Sequence, residues 1–256
     1  AAFKRIMSLT DSRTAWIQIA CYLFGYGCFA LPGALFIKRY TYKSGVLLGL
    51  GLFAGGAILV YPAGLAAEMS MHLCFMLFLA SLVILFAGLS ILETATNSYV
   101  CAIGAEETAT QRLNFAQSFN PFGAITGVVV SQIFVLSQLN VLTAEQREKL
   151  PEAELAAIRA GELDAVTKTY LIMGLIMVGL FLAIHFTKMP NLREDDKRLD
   201  LKGTFSRLLR NQNYVWGVVA QFFYVGAQIA VWSYIIRYAM AQLNLDGVVQ
   251  ALGESP

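Results

Sequence analysis

Long apolar runs, each about the length of a membrane-crossing helix, dominate the pattern of hydrophobic and polar positions along the chain. The hydrocarbon core of a bilayer is about 30 Å thick and requires roughly 20 apolar residues per helix, because lipid cannot hydrogen-bond an unpaired backbone group. The pattern therefore predicts an all-α membrane protein with six transmembrane helices. They cover residues 16–37, 46–67, 73–103, 115–139, 170–187 and 215–238.

Two longer polar segments interrupt this pattern. Residues 143–169 are rich in Glu and Ala, a composition that favours a surface helix outside the membrane. Residues 188–210 carry seven basic and four acidic residues and separate five spans from one. This predicts an N-terminal membrane half over 1–187, a cytoplasmic linker over 188–213, and the first helix of a second half within 214–256. An ordinary cytoplasmic loop would explain the linker composition equally well.

Composition and charge narrow the class of protein. The chain is 57% hydrophobic and 14% charged, whereas about a quarter of the residues of a soluble protein are charged. The net charge of +2 lacks the basic excess that phosphate binding needs, so the expected environment is a lipid bilayer and nucleic acid is excluded as a main partner. The four cysteines lie in apolar stretches without a CxxC or Cys/His cluster, which predicts buried free thiols and no metal site.

The distribution of Lys and Arg predicts the orientation, because basic loops are retained in the cytoplasm. Eleven of these residues fall on one side of the six spans and eight on the other, where acidic residues dilute them. Placing the eleven inside puts both chain ends outside. This arrangement predicts a further span upstream of residue 1.

Glu93 is the one acidic residue that lies within the six predicted spans. It is ten residues from the end of its span, or about 15 Å deep at a rise of 1.5 Å per residue. A carboxylate at that depth is costly unless it faces water, has a partner or is protonated. Glu93 is therefore a candidate proton carrier. The alternative is a protonated carboxyl that joins two helices by a hydrogen bond.

Amide side chains lie near Glu93 along the chain. Asn97 follows it by four residues and shares its helical face, while Gln117 and Asn120 are three apart on one face of the next span. An amide both donates and accepts hydrogen bonds, which suits the hydroxyl groups of a neutral polyol. These amides are candidate sugar ligands.

The last span carries a second polar stripe, with Gln221, Tyr224, Gln228 and Trp232 on one face. Aromatic rings suit the apolar face of a pyranose, and amides suit its hydroxyl edge. The stripe predicts sugar contacts, with helix packing as the alternative.

Three separated strings resemble a known family. The strings LETATN at 92–97 and RLNFAQSFN at 112–120 resemble the L-E-T-A-x-N and R-L-N-x-A-Q-x-F-N signatures of the bacterial fucose-galactose-glucose proton symporters. The third, 221–238, is similar to the seventh helix of that family, which belongs to the major facilitator superfamily. The resemblance implies twelve spans in two halves around a central cavity, of which this chain would supply spans two to seven.

The resemblance also implies roles. Glu93 takes the position of the family's protonatable acid, and Gln117 and Asn120 take those of its sugar-contacting amides. Asn97, Tyr224, Gln228 and Trp232 are added from their facing and depth. The implied protein is a monomer of the bacterial inner membrane that imports L-fucose or a related hexose with a proton by alternating access, without a cofactor. The family's acidic residue in span one has no counterpart in this sequence.

Three alternatives remain open at this point. A glucose or galactose symporter of the same family differs by little that the residues resolve. A non-transporting membrane sugar sensor would share the binding residues. A membrane enzyme with Glu93 as general base is disfavoured, because no nucleophile, metal cluster or phosphate loop accompanies that residue.

Overall fold

The computed structural model describes residues 20–135, 150–190 and 201–243, together with Ile17, Ser137 and Arg147. The chain divides into two compact units, Ala1–Asp195 and Asp196–Pro256. The regular elements of the described residues are all helical. This confirms the predicted all-α class. The three-part division at residues 188 and 213, and the sidedness of the loops, stay predictions.

The first unit contains α1 to α6 and the second contains α7 and α8 over the described residues. Helix α1 is π-helical over Ala20–Gly27 and α-helical over Cys28–Arg39. The others are α2 Tyr42–Leu65, α3 Met71–Ala102, α4 Ala109–Gln117, α5 Asn120–Phe134, α6 Glu152–Phe186, α7 Leu201–Arg210 and α8 Gln212–Leu243. Within the described residues, five helices are long and apolar enough to cross a membrane: α1, α2, α3, α6 and Gln212–Val231 of α8. They overlap five of the six predicted spans.

The predicted span 115–139 does not begin as one continuous helix. Helix α4 ends at Gln117 and α5 begins at Asn120, with Ser118 and Phe119 in a turn between them. Pro121 at the start of α5 has no N–H to donate to the Gln117 carbonyl, which removes one helical hydrogen bond across this point, and proline is favoured in the first turn of a new helix. The turn separates the two amides that the sequence places on one helical face.

Within the predicted surface helix 143–169, residues 143–149 lie outside the described residues except for Arg147, and the remainder is continuous with the fifth span. Residues Glu152–Phe186 form one helix of 35 residues, about 52 Å long, which exceeds the thickness of a bilayer core. Its N-terminal half is not a free surface helix. Leu163 and Val166 are buried against Val60 of α2 and Phe78 of α3. This apolar packing stabilises the part of the helix that precedes the predicted span 170–187.

Helices α2 and α3 approach each other at backbone distance through glycines. A Cβ atom added at Gly56 would lie 2.6 Å from the Leu85 backbone nitrogen, and one at Gly88 would lie 2.4 Å from that of Phe53. Small residues permit such close helix packing in membranes, where van der Waals contact drives association. Among the described residues, three buried apolar clusters follow this interface and join it to α6.

We expect Gly56→Ala to destabilise the protein by about 1–3 kcal/mol, the usual cost of overpacking, because the obstructing atoms belong to a backbone. The neighbouring Gly55 is the matched control, since a Cβ there meets no atom within 4 Å. Gly55→Ala should leave the melting temperature of the detergent-purified full-length protein unchanged or slightly raised. Equal melting temperatures for the two variants would contradict this account of the interface.

A buried ion pair anchors the N-terminal half of α6. Arg147 donates from Nη1 to Oε2 of Glu162 at 2.9 Å, and its Nη2 contacts Oε1, while the two side chains are 7% and 2% exposed. Two opposite charges that are this deeply buried stabilise each other. Removal of either charge would leave the other without its counter-charge and without water.

Glu162→Gln should therefore lower the free energy of unfolding by about 3–5 kcal/mol. Asp164 provides a control, because its ion pair with Lys168 on the same helix is exposed and contributes little. Thermal unfolding of the purified variants measures both. Equal melting temperatures for Glu162→Gln, Asp164→Asn and the wild type would show that the buried pair does not stabilise the N-terminal half of α6.

Candidate functional site

The carboxyl group of Glu93 has a hydrogen-bond partner on another helix. The hydroxyl of Tyr26 on α1 donates to Oε2 of Glu93 on α3. Glu93 is exposed at the surface of the first unit, and Tyr26 is half-buried beside it. A neutral donor therefore satisfies one oxygen of the Glu93 carboxyl group.

Three of the predicted sugar ligands form one hydrogen-bonded chain. Nε2 of Gln117 donates to Oδ1 of Asn97 at 3.1 Å, and Nδ2 of Asn120 donates to Oε1 of Gln117 at 3.5 Å. Asn97 lies one turn beyond Glu93 on α3. The first unit thus brings Glu93, Asn97, Gln117 and Asn120 into one polar patch, with Gln117 and Asn120 exposed.

The direction of the hydrogen bonds among these three amides decides which of their polar groups remain available to a ligand. Each amide can donate two hydrogen bonds and accept two. Gln117 uses one donor and one acceptor in its hydrogen bonds with the other two amides. The NH₂ group of Asn97 and the carbonyl oxygen of Asn120 therefore remain available at the two ends of the series. The three amides thereby present an open donor group at one end and an open acceptor at the other, and a sugar hydroxyl can pair with either.

Arg112 fixes α4 over the end of α3 and so positions Gln117. Its guanidinium donates to the carbonyls of Val100 at 3.1 Å and Cys101 at 2.8 Å in the last turn of α3, and to that of Ala105 at 2.9 Å. A cation at a helix C-terminus is favoured by the helix dipole and by the unpaired carbonyls there. The sequence places Arg112 at the start of the 112–120 string without a role, and the structure gives it this positioning contact.

The second unit carries the remaining predicted ligands on α8. Tyr224 is 63% exposed and Gln228 is half-buried. The backbone of Trp232 is helical, and its side chain lies outside the described residues. The roles of Tyr224, Gln228 and Trp232 stay predictions.

The cysteines of the chain form no disulfide. The four cysteines are free, with Cys21 and Cys74 buried as predicted. Cys28 is exposed, so the prediction of a buried thiol is wrong at that position, and Cys101 is only half-buried. The described residues contain no group of three or more His, Cys, Asp or Glu side chains that could hold a metal ion.

Sequence reasoning missed Tyr26 as a member of the site. It is one of several aromatic residues in the apolar run of α1, and its partner lies 67 positions further along the chain. Its four-residue spacing from Tyr22 was a signal of a shared helical face, but nothing in the sequence indicates which helix that face meets.

Apolar helices of membrane-spanning length in two units and a polar patch on the first are typical of membrane transport proteins. The model of the Major Facilitator Superfamily matches residues 3–253, so the chain belongs to that superfamily. Its relatives narrow the class further. The chain is 42% identical over 248 residues to the L-fucose-proton symporter of Haemophilus influenzae, covering 93% of this chain and 56% of that protein. It is 39% identical to the L-fucose-proton symporter of Escherichia coli, covering 94% and 54%.

Solved structures agree with the sequence relatives. The chain superposes with a TM-score of 0.80 on the crystal structure of a Major Facilitator Superfamily transporter, FucP, in the outward conformation, at 39% identity. The superposition covers 93% of this chain and 57% of that one. The chain thus spans a little over half the length of the relatives it matches. The resemblance to the fucose-galactose-glucose proton symporters and the partial superfamily fold are confirmed.

Proposed function

We propose that the protein is a proton-coupled symporter that imports L-fucose across the bacterial inner membrane by alternating access. The observation that carries the proposal is the polar patch, in which the Glu93 carboxyl group lies one helical turn from Asn97 and its hydrogen-bonded partners Gln117 and Asn120. The similarity to two L-fucose-proton symporters supports the choice of sugar and coupling ion.

Each residue of the patch has a role in this proposal. Glu93 takes up and releases the coupled proton, because it is the carboxyl group of the patch. Sugar hydroxyls form hydrogen bonds with the side chains of Gln117, Asn120 and Asn97, through the donors and acceptors that these amides do not use among themselves. Binding the sugar and the proton near the midplane then allows the two halves of a transporter to rock around one site. The complete protein acts as a monomer, with the proton as its coupling ion and no cofactor.

A second candidate is a glucose or galactose transporter. One relative that favours it is the Glucose/galactose transporter of Brucella abortus, at 30% identity and 92% coverage of this chain. L-Fucose is the primary proposal because the two L-fucose-proton symporters are more similar in sequence to this chain than the Glucose/galactose transporter is. A hydrogen-bonding patch accepts hydroxyl groups of any of these sugars, so the patch by itself does not separate them.

Transport by the purified full-length protein tests the proposal. Liposomes with an inward proton gradient should accumulate labelled L-fucose, and a protonophore should abolish the accumulation. Unlabelled L-fucose should compete better than D-galactose or D-glucose. Preferential competition by galactose or glucose would select the second candidate, and binding without gradient-dependent accumulation would indicate a sugar sensor.

A further inference from the structure

Tyr26 is attached to α3 through both its side chain and its backbone. Its hydroxyl donates to Oε2 of Glu93, and its carbonyl accepts a hydrogen bond of 2.8 Å from the hydroxyl of Ser90. Ser90 is 1% exposed, so this second bond is shielded from competing solvent. The two bonds fix the tyrosine at both ends relative to the helix that carries Glu93.

The helix backbones are close at this point. A Cβ atom at the preceding residue, Gly25, would lie 2.7 Å from Cβ of Phe86 and 3.1 Å from the Val83 carbonyl oxygen. Any larger residue would force α1 away from α3. The glycine therefore brings the Tyr26 hydroxyl within reach of the carboxyl group.

The local helix geometry is unusual as well. Ala20–Gly27 is π-helical, and α-helical geometry begins at Cys28. Extended π-helix is rare and π-turns often occur at functional sites, where they shift the register of side chains. Here the shifted segment ends next to the tyrosine that contacts Glu93.

The chemistry of the pair makes the contact sensitive to the proton on Glu93. A phenol donates one hydrogen bond, and a hydrogen bond to a charged acceptor is stronger than one to a neutral acceptor. The bond from Tyr26 is therefore tighter when Glu93 is ionised than when it carries the proton. Loading the proton weakens the hydrogen bond between α1 and α3.

We propose that Tyr26 is the positioning residue for Glu93, and that its hydroxyl both orients the carboxyl group for proton exchange and transmits the protonation of Glu93 to α1. The proposal rests on the proposed function, in which Glu93 carries the coupled proton. Tyr26 acts through Glu93 and is not assigned a contact with the sugar.

Transport and binding measurements on the full-length protein separate this role from a structural one. Tyr26→Phe should lower proton-driven L-fucose accumulation about tenfold, corresponding to the loss of one charge-assisted hydrogen bond. Sugar affinity, measured by calorimetry, should stay close to that of the wild type. Tyr22→Phe is the matched control, because Tyr22 belongs to the same π-helical segment and its ring packs edge-on against Phe86 at 5.4 Å. It should leave both quantities unchanged.

Glu93→Gln in the same assay distinguishes the two proposals. Loss of accumulation in Glu93→Gln with wild-type accumulation in Tyr26→Phe would overturn the role of Tyr26 alone. Normal accumulation in Glu93→Gln would overturn Glu93 as the proton carrier, and with it both proposals. Equal losses of accumulation and sugar affinity in Tyr26→Phe would show that Tyr26 has a structural role.

Fluorine NMR tests the contact without removing the hydroxyl, and it decides the question if Tyr26→Phe fails to fold. Fluorotyrosine is placed at position 26, or at position 22 as the control. Glu93→Gln should shift the resonance from position 26 and leave that from position 22 in place. An unmoved resonance at position 26 would overturn the proposal.

Discussion

Replacing Glu93 with Gln in the full-length protein is expected to abolish sugar-driven proton uptake while sugar binding is partly retained. Glutamine keeps the size and hydrogen-bonding shape of the carboxyl group but cannot take up or release a proton at neutral pH. Addition of L-fucose to cells or liposomes that contain the wild type should make the medium more alkaline. The variant should produce no such change.

Glu106→Gln serves as the control for this experiment, because Glu106 lies exposed in the short turn between α3 and α4. It should alkalinise the medium as the wild type does. An unchanged signal from Glu93→Gln would remove this residue from the coupling mechanism and leave the hydrogen bond from Tyr26 as a link between two helices.

The second large effect is expected at the amide chain. Replacing Gln117 or Asn120 with Ala should weaken sugar binding by about 1–3 kcal/mol, which is roughly 5- to 150-fold, because a hydroxyl group of the bound sugar loses its partner. Gln117→Ala should have the larger effect of the two, since Gln117 also holds the side chains of Asn97 and Asn120 in place. Calorimetry with L-fucose measures both variants.

Gln111→Ala is the matched control for these variants, because Gln111 is an exposed amide on the same short helix α4. Its affinity for the sugar should equal that of the wild type. Melting temperatures should change little in all three variants, since the side chains are exposed. Wild-type affinity in both Gln117→Ala and Asn120→Ala would mean that the amides join helices and do not bind sugar.

Much of the site was predictable because isolated polar groups in apolar runs are visible without a structure. Glu93 is costly at membrane depth, and its position four residues before Asn97 follows from helical periodicity alone. The hydrogen bond from Gln117 to Asn97 was not predictable, because it joins two helices whose separation depends on the contacts of Arg112 with the end of α3.

The helix boundaries were likewise predictable from the sequence only in part. Hydropathy located five spans, because a lipid environment demands a minimum length of apolar helix. It did not resolve the turn at Ser118 and Phe119, because the predicted span took only its first three residues, 115–117, from the polar helix α4 and the apolar run of α5 dominated the rest. It also divided α6 into two parts, since charge ends the apolar run at about residue 170 whereas buried contacts of Leu163 and Val166 continue the helix.

The sequence by itself determined the class of protein, the approximate spans, the family and four residues of the candidate patch, because these depend on composition, local periodicity and motif spacing. The tertiary structure decided how those residues are connected. Tyr26 and Glu93 are 67 positions apart, and they meet because Gly25 and the π-helical segment bring α1 against α3. Which donor meets which acceptor depends on distances between helices, and those distances are set by packing that no local pattern encodes.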